Sequence, residues 1–350
     1  MTICFFGIYK ADYNRNKILM AGLKSNGVNI IECNSRLKGL TKYFDLIKKH
    51  RALKNKYDAM LVAFPGYQAM VLAKLICRRP IIFDAFFSLH DAMVNDRRAV
   101  SRRSIKALYY WLLDWLAGSL ADRILLDTNE HIKYFVKNFK IKKEKFIRVI
   151  IGADTDIYRP AATAPADGRF RVHFHGSYIP NQGIDYIVEA ADILKNESII
   201  FNLIGAGQEF ERIRRKVAAL KLQDKFLTRG FLPQDQLLDS IKKSDICLGI
   251  FGAGEKTRRI ISNKIFECLA MKKALITADT PAMRELFSEK EVLFCRAGDG
   301  RDLAEKILYL KNNPRIRSEL AENSYQFFLN NLRPAALTAE LAKVIKNYAR

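Results

Sequence analysis

A short stretch in the second half of the chain combines two positive charges with a carboxylate. Arg259 and Lys264 precede Glu267, which is expected in the first turn of a short apolar helix over 265–271. A helix start offers free backbone N–H groups and the positive end of a dipole, so it favours anions. The two cations would bind phosphate, and the carboxylate would accept hydrogen bonds from a pair of sugar or ribose hydroxyls. The stretch therefore predicts a site for a nucleotide diphosphate, although Glu267 would also suit a purely structural role near the helix start.

Strand-like and helical runs alternate along the chain and must position these groups. Apolar strand-like runs cover residues 3–8, 28–33, 59–64, 80–84, 124–127 and 146–151, and the pattern restarts at Arg169. Such alternation predicts parallel sheets covered by helices on both faces. We therefore expect two doubly wound α/β domains facing a cleft. The expected boundaries are an N-terminal domain at 1–160, a linker at 161–168, a C-terminal domain at 169–333 and a C-terminal helix at 334–350.

Ligands of doubly wound sheets bind at the carboxyl ends of the strands. Glycine at these ends lets a ligand or a neighbouring backbone approach closely, and a plain tight turn explains it equally well. His175 ends one strand, and we expect His173 to face the other way. In the first half this rule selects Gly7, Tyr9, Asp84, Ser88, His90, Asp91, Asp127 and Thr128. In the second half it selects Gly176, Ser177, Gly205, Gly207, Gly230, Phe231 and Gly252.

Five segments in one order resemble the family 4 glycosyltransferases, which have the GT-B fold. The resemblance extends from about Arg148 to Phe287 and is weak in the N-terminal half. It implies two Rossmann-like domains and a C-terminal helix that returns to the first one. It also implies retaining transfer from a nucleotide sugar without a metal or another cofactor. The segments are VIIGADTDIYRP, RVHFHGSYIPNQGIDYIVEAADIL, FNLIGAGQEFERIRR, FLTRGFLPQDQLLDSIKKSDICLGIF and NKIFECLAMKKALI.

The resemblance also implies roles and shows a departure from the family pattern. Glu267 matches the second of two family glutamates, which holds the donor ribose, whereas Arg259 occupies the position of the first. The family's diphosphate-binding arginine and lysine fall on Ser177 and Gln182. We infer a variant branch in which Arg259 and Lys264 replace them as electrostatic catalysts; the alternative is that donor binding is lost.

The candidate residues then divide into three groups. His90 is placed as a possible general base in the N-terminal domain, and Asp84 is either catalytic or only holds the following loop. The expected catalytic residues are Asp84, His90, Arg259 and Lys264. The expected donor-binding residues are Gly176, Ser177, Gly205, Gly207, Phe231, Asn263, Lys264 and Glu267, and the acceptor-side residues are Gly7, Tyr9, Ser88 and Asp91.

The charge distribution points to an anionic partner. The chain of 350 residues has a net charge of +22, and its first 150 residues contain 28 basic and 12 acidic side chains. No nucleic-acid-binding signature is present, so nucleic acid is not expected. The segment 101–121 reads as an amphipathic helix with Trp111 and Trp115 beside a cluster of arginines, which favours an anionic membrane surface. The alternative is a helix whose leucine face packs against the sheet, and both interpretations can hold at once. Asp114 and Asp122 are expected to prevent deep insertion.

These observations lead to one main hypothesis and two rivals. We expect a glycosyltransferase that moves a sugar to a lipid-linked or polysaccharide acceptor. The start of the chain lacks a signal peptide and no apolar run is long enough to span a membrane, so we expect a cytoplasmic enzyme at the inner membrane face. A sugar-nucleotide epimerase and a non-catalytic basic adaptor that binds membranes or anions are the alternatives.

Overall fold

A computed structural model of the chain describes residues 1–161 and 168–348. It divides into two compact units. Unit 1 comprises Met1–Asp154 and Leu332–Arg350, and unit 2 comprises Thr155–Asn331. The expected linker at 161–168 lies almost wholly outside the described residues. The chain passes from unit 1 to unit 2 after Asp154 and returns to unit 1 at Leu332, just before the last helix.

Unit 1 is built around a six-stranded parallel sheet with the strand order β2-β1-β3-β4-β5-β6. Its strands are β1 (Thr2–Gly7), β2 (Asn29–Asn34), β3 (Ala59–Val62), β4 (Ile81–Phe86), β5 (Arg123–Leu126) and β6 (Phe146–Arg148). Its helices along this part of the chain are α1 (Asn14–Ser25), α2 (Thr41–Leu53), α3 (Tyr67–Ile76), α4 (Ile105–Leu120) and α5 (Asn129–Phe139).

The central strands of this sheet are buried on both faces. All six residues of β4 and all four of β3 are buried, which is expected when helices cover both sides of a parallel sheet. The strand predicted at 59–64 is shorter in the structure, where β3 ends at Val62. The doubly wound arrangement agrees with the prediction.

Unit 2 repeats the architecture with the strand order β12-β11-β10-β7-β8-β9. Its strands are β7 (Phe170–His175), β8 (Ile199–Ile204), β9 (Phe226–Arg229), β10 (Ile246–Leu248), β11 (Ala274–Ala278) and β12 (Leu293–Cys295). Its helices are α6 (Ile184–Ile193), α7 (Phe210–Ala219), α8 (Gln234–Lys242), α9 (Asn263–Ala270), α10 (Pro281–Arg284), α11 (Gly300–Asn312) and α12 (Pro314–Asn331).

The last helix, α13 (Pro334–Asn347), belongs to unit 1 and packs on α1. Gly22 makes this packing possible, since a side-chain carbon there would lie 2.2 Å from the carbonyl oxygen of Pro334. Asn26 strengthens the contact by donating to the carbonyl oxygen of Ala335 at 2.8 Å. The return of the C-terminal helix to the first domain, which the resemblance implied, is thus present.

The helix α4 differs from one expectation. Its buried side is made of small or polar residues, including Ala107, Asp114 and Ala117, whereas Leu108 and Leu112 are 57% and 44% exposed. The alternative in which the leucine face packs against the sheet therefore fails for the first half of the helix, whereas Leu116 and Leu120 further along are half-buried. Asp114 points into the protein, so it does not stand between this surface and a membrane. Across the described residues, we find no helix with the length and apolar character needed to span a membrane.

Candidate active site

The donor-side residues of unit 2 converge around Lys264. This residue lies at the start of α9, and its side chain is buried in the apolar packing of that helix. Its Nζ atom lies 3.6 Å from the centroid of the Phe174 ring and donates a hydrogen bond to Oε1 of Gln182. A side-chain carbon on Gly176 would lie 3.0 Å from the same Nζ atom. The glycine at the end of β7 therefore leaves room for the lysine beneath the loop.

The environment of Lys264 is poor in counter-charge. Burial lowers the pKa of this amine well below its ordinary value, and the nearby Cys268 and Glu267 oppose the effect only in part. Within the described part of the chain, its one hydrogen-bond partner is the neutral amide of Gln182. A phosphate that reached Lys264 would supply the missing negative charge and favour the ammonium form.

Glu267 lies in the second turn of α9 and not in the first, because the helix begins at Asn263. Its Oε2 atom accepts a hydrogen bond from His175 Nε2 at 2.7 Å, and 11% of its side chain is exposed. His173 Nε2 lies 2.9 Å from His175 Nδ1. The expectation that His173 faces away was wrong, because residues two apart on a strand share a face.

The glycine turns of unit 2 bring the strand-end loops together. A side-chain carbon on Gly205 would lie 1.9 Å from the Gly176 carbonyl oxygen, and one on Gly207 would lie 2.7 Å from the backbone nitrogen of Tyr178. The loop after β10 is fixed in a similar way, because Phe251 N donates to the Gln182 carbonyl at 3.0 Å. Gly205 and Gly207 are thus required by backbone packing. This agrees with the alternative that these glycines form tight turns.

The remaining donor-side candidates occupy less enclosed positions. Phe231 is 69% exposed beyond β9, Ser177 is exposed beyond β7, and Asn263 is half-buried at the start of α9. Arg259 ends a short 3-10 turn, and its Nη1 lies 3.4 Å from Oε2 of the exposed Glu255. Phosphate binding by Arg259 would have to compete with this ion pair.

Three candidates in unit 1 must be corrected. Asp84, Ser88 and Asp91 are completely buried, so none offers its side chain to a substrate in this structure. Asp84 accepts bonds of 2.8–3.1 Å from the guanidinium of Arg15, whose own side chain is 1% exposed. This buried ion pair supports the interpretation that Asp84 holds its loop.

Asp114 organises the turn that follows β4. It accepts hydrogen bonds from Ser88 Oγ at 2.6 Å and from the backbone nitrogens of Leu89 and His90 at 3.0 and 2.9 Å. Ser88 in turn accepts a bond from the backbone nitrogen of Asp91 at 3.0 Å. Ser88 and Asp91 therefore shape the turn and do not line an acceptor site.

His90 is the candidate in unit 1 that keeps partial access to solvent. It lines a small pocket of about 340 Å³ with Arg102, Arg103 and Trp111. Burial lowers the pKa of its imidazole, which favours the neutral form that a general base requires. Its Nδ1 atom lies 3.4 Å from the hydroxyl of Tyr134.

A larger pocket of about 930 Å³ opens at the carboxyl ends of β1, β2 and β3. Gly7 ends β1 there with a φ of +142°. The ring of Tyr9 is buried in the wall, because its hydroxyl donates to Glu32 Oε2 at 2.8 Å. Mostly apolar atoms line the pocket, together with three charged side chains. The lining includes Tyr9, Lys10, Asp12, Tyr13, Arg36, Leu37 and Phe64.

The roles of several of these residues were not predicted from the sequence, although the positions of some of them indicated a role. Lys10 lies three residues after the end of β1 and Arg36 two residues after the end of β2, so the strand-end rule that selected Tyr9 also selects them. The His173–His175 pair has a spacing of two on a predicted strand. Asp114 had no such signal, because it lies on a helix more than twenty residues from the turn that it holds.

The fold of the two units identifies the structural class of the protein. Both units are parallel Rossmann-like sheets, and solved GT-B structures match the chain over nearly all of its length. Anabaena HepE in complex with UDP has a TM-score of 0.74 at 14% identity, covering 99% of this chain and 100% of that chain. Sucrose-phosphate synthase from Thermosynechococcus elongatus has a TM-score of 0.77 at 12% identity, covering 99% and 98%. The chain therefore has the GT-B fold.

Sequence comparison then gives the family. The family model described as "Glycosyl transferase-like" matches residues 164–343, and the chain belongs to that family. An uncharacterized glycosyltransferase of Methanocaldococcus jannaschii is 26% identical over 155 residues. That match spans 44% of this chain and 42% of the relative, so less than half of either protein is aligned.

Proposed function

We propose that the chain is a retaining glycosyltransferase that moves a sugar from a nucleotide diphosphate sugar to a lipid-linked or polysaccharide acceptor. The observation that carries the proposal is the juxtaposition of Lys264, Gly176 and Glu267 at one end of the unit 2 sheet. A buried amine without an anionic hydrogen-bond partner lies beneath a glycine turn. A carboxylate follows three residues later on the same helix, on a neighbouring part of its surface. This set suits a diphosphate and a ribose.

The chemistry requires stabilisation of charge more than a strong base. As the bond between the sugar and the diphosphate breaks, negative charge accumulates on the leaving phosphate. A fixed cation at that point stabilises the transition state more than the ground state. Lys264 would supply this charge, Arg259 would add to it after leaving Glu255, and the leaving phosphate would accept the acceptor proton. The reaction then needs no metal ion or other cofactor.

The ligands bound by the structural neighbours indicate which donors to test first. HepE was crystallised with UDP and with UDP-glucose, so we propose uridine nucleotide sugars as the first donors to examine. The likeness at 14% identity concerns the fold. The base and the sugar therefore have to be determined by experiment.

The pocket of about 930 Å³ in unit 1 is our proposed acceptor site. Aromatic side chains such as Tyr13 and Phe64 offer a surface on which a sugar ring or an isoprenoid segment would pack. Lys10 and Arg36 lie at its edge and outnumber the single carboxylate of Asp12. This excess of positive charge favours an acceptor that carries a phosphate or a carboxylate.

We also propose that the protein works at the inner face of a membrane as a peripheral protein. Ile105, Leu108 and Leu112 on α4 are 87%, 57% and 44% exposed, and Trp115 is 40% exposed. Arg102 and Arg103 are exposed immediately before the helix. An apolar helix face with flanking arginines matches the chemistry of an anionic lipid surface, and a lipid-linked acceptor would be available there.

The deciding experiment is a thermal-shift screen with nucleotides and nucleotide sugars, followed by a transfer assay. Ligand at a hundred times its dissociation constant stabilises the folded protein by about 2.7 kcal/mol. We expect Lys264→Ala and Glu267→Ala each to weaken nucleotide binding or turnover by at least about tenfold, because charge-assisted bonds contribute roughly 1.5–3 kcal/mol. Glu305→Ala, a change of an exposed glutamate on α11, is the matched control.

The rival functions predict different results in the same assays. An epimerase would convert the nucleotide sugar when no acceptor is present, and a non-catalytic adaptor would bind anions without distinguishing nucleotide sugars. Activity that is unchanged by a chelator is expected of the proposed mechanism. If both active-site variants kept wild-type affinity and rate, the assignment of the site would be wrong.

A further inference from the structure

A chain of hydrogen bonds crosses the interior of unit 2 and ends at Glu267. Asn202 Nδ2 lies 2.5 Å from Ser240 Oγ, and Ser240 Oγ lies 3.2 Å from His173 Nδ1. His173 Nε2 lies 2.9 Å from His175 Nδ1, and His175 Nε2 lies 2.7 Å from Glu267 Oε2. These hydrogen bonds thus link β8, α8, β7 and α9.

The donor and acceptor groups at the two ends determine which atom donates in each of these hydrogen bonds. An ionised Glu267 only accepts, so His175 must donate from Nε2. A neutral imidazole then accepts at Nδ1, and His173 must donate to it from its own Nε2. The Nδ1 atom of His173 therefore accepts from the hydroxyl of Ser240, which accepts from the amide of Asn202. Burial lowers the pKa of His173 well below its ordinary value, which agrees with a neutral His173 ring.

This arrangement leaves one carboxylate oxygen of Glu267 for a ligand. Oε2 is bound by His175, whereas Oε1 has no hydrogen-bond partner among the residues that the structure describes. The His175 contact also fixes the rotation of the carboxylate, because both rings are buried and cannot turn freely. A preorganised carboxylate binds a hydroxyl pair more tightly than a mobile one, since less entropy is lost.

We infer that His175 is a positioning residue that holds Glu267 for the ribose hydroxyls of the nucleotide, and that His173 fixes the tautomer of His175. This inference rests on the proposed function. Neither histidine needs to touch the ligand. Their effect should therefore appear in how strongly the protein prefers a nucleotide with ribose hydroxyls over one that lacks them.

The test compares two ligands on matched variants. The probes are UDP, ADP and GDP, each paired with its 2′,3′-dideoxy analogue, and the readout is the affinity ratio within a pair. For the pair that binds wild-type protein, we expect at least about a tenfold preference for the hydroxylated form, or about 1.4 kcal/mol. His175→Leu should reduce that preference to less than about threefold while the affinity for the dideoxy form stays the same. His175→Gln, which retains a donor, should restore most of it.

The outcomes separate this inference from the proposed function. Glu267→Ala is the reference, because it should also abolish the preference. If no nucleotide binds the wild-type protein, or if Glu267→Ala keeps the preference, the proposed donor site fails. If Glu267→Ala loses the preference while folded His175→Leu keeps it, the histidines only fill the interior and the inference fails. Should His175→Leu not fold, His175→Asn replaces it, since that side chain is polar but too short to reach Glu267.

Discussion

The Nζ atom of Lys264 lies 3.6 Å from the centroid of the Phe174 ring. The ring face is negative, so it attracts a cation, and a desolvated contact of this kind contributes about 2 kcal/mol. That attraction offsets only part of the cost of burying an ammonium group. The folded protein without ligand therefore holds a group that is poised to gain from the arrival of a phosphate.

The first prediction concerns the stability cost of this lysine. Burial lowers the folded-state pKa of Lys264, so the unfolded chain binds an extra proton between that lowered pKa and about 10.4. The free energy of unfolding must rise with pH across this window. We expect Lys264→Met to be more stable at pH 7, by about 1–4 kcal/mol as for other replaced buried charges, and the difference should shrink as the pH rises.

Urea denaturation of both proteins between pH 7 and pH 9.5 measures this difference. The control is Lys290→Met, because Lys290 is exposed in a turn of the same unit; its difference from wild type should not change with pH. A constant gap between Lys264→Met and wild type would show that the folded-state pKa is ordinary.

The second prediction concerns the close approach of two loops. A side-chain carbon on Gly205 would lie 1.9 Å from the Gly176 carbonyl, and the φ of Gly205 is +137°. Backbone strain and overpacking each cost about 1–3 kcal/mol, so Gly205→Ala should destabilise unit 2 by about 3 kcal/mol. Gly230→Ala is the control, since no atom lies within 4 Å of its added carbon. Equal denaturation midpoints for the two variants would contradict the packing described here.

The third prediction concerns Asp114. Asp114→Ala leaves Ser88 Oγ and the backbone nitrogens of Leu89 and His90 without their acceptor. Buried donors without partners cost about 1–3 kcal/mol each, so we expect a loss of at least about 3 kcal/mol in the free energy of unfolding, because the turn after β4 is no longer held. Asp224→Ala, at an exposed position, should match wild type in chemical denaturation. Equal stability of Asp114→Ala and Asp224→Ala would show that Asp114 does not hold this turn.

The alternation of apolar runs predicted both sheets, because strand burial in a parallel sheet leaves a continuous apolar signature. Arg259, Lys264 and Glu267 drew attention because they lie within nine residues of one another. The contacts that decide how these groups behave are distant in sequence. His175 meets Glu267 across 92 residues, and Arg15 meets Asp84 across 69. Spacing along the chain contains no information on such pairs, so Asp84 was interpreted as a possible catalyst.

The fourth prediction concerns the exposed face of α4. Each basic group near an anionic membrane contributes about 1 kcal/mol, and the attraction fades beyond about 8 Å at physiological salt. Reversing Arg102 and Arg103 to Glu should therefore weaken binding to vesicles with anionic lipid by at least about tenfold. Changing Leu108 and Leu112 to Ser should weaken it as well, because these side chains supply apolar area.

The charge-matched control reverses Arg214 and Arg215, which are exposed on α7 of unit 2; it changes the net charge equally and should leave vesicle binding unaltered. Co-sedimentation with anionic and neutral vesicles at two salt concentrations is the measurement. If the protein sediments equally with both kinds of vesicle, or if the control weakens binding as much as the Arg102 and Arg103 reversal, general charge and not this helix governs the interaction. The apolar variant makes the distinction sharper, because it removes no charge and would then bind as well as wild type.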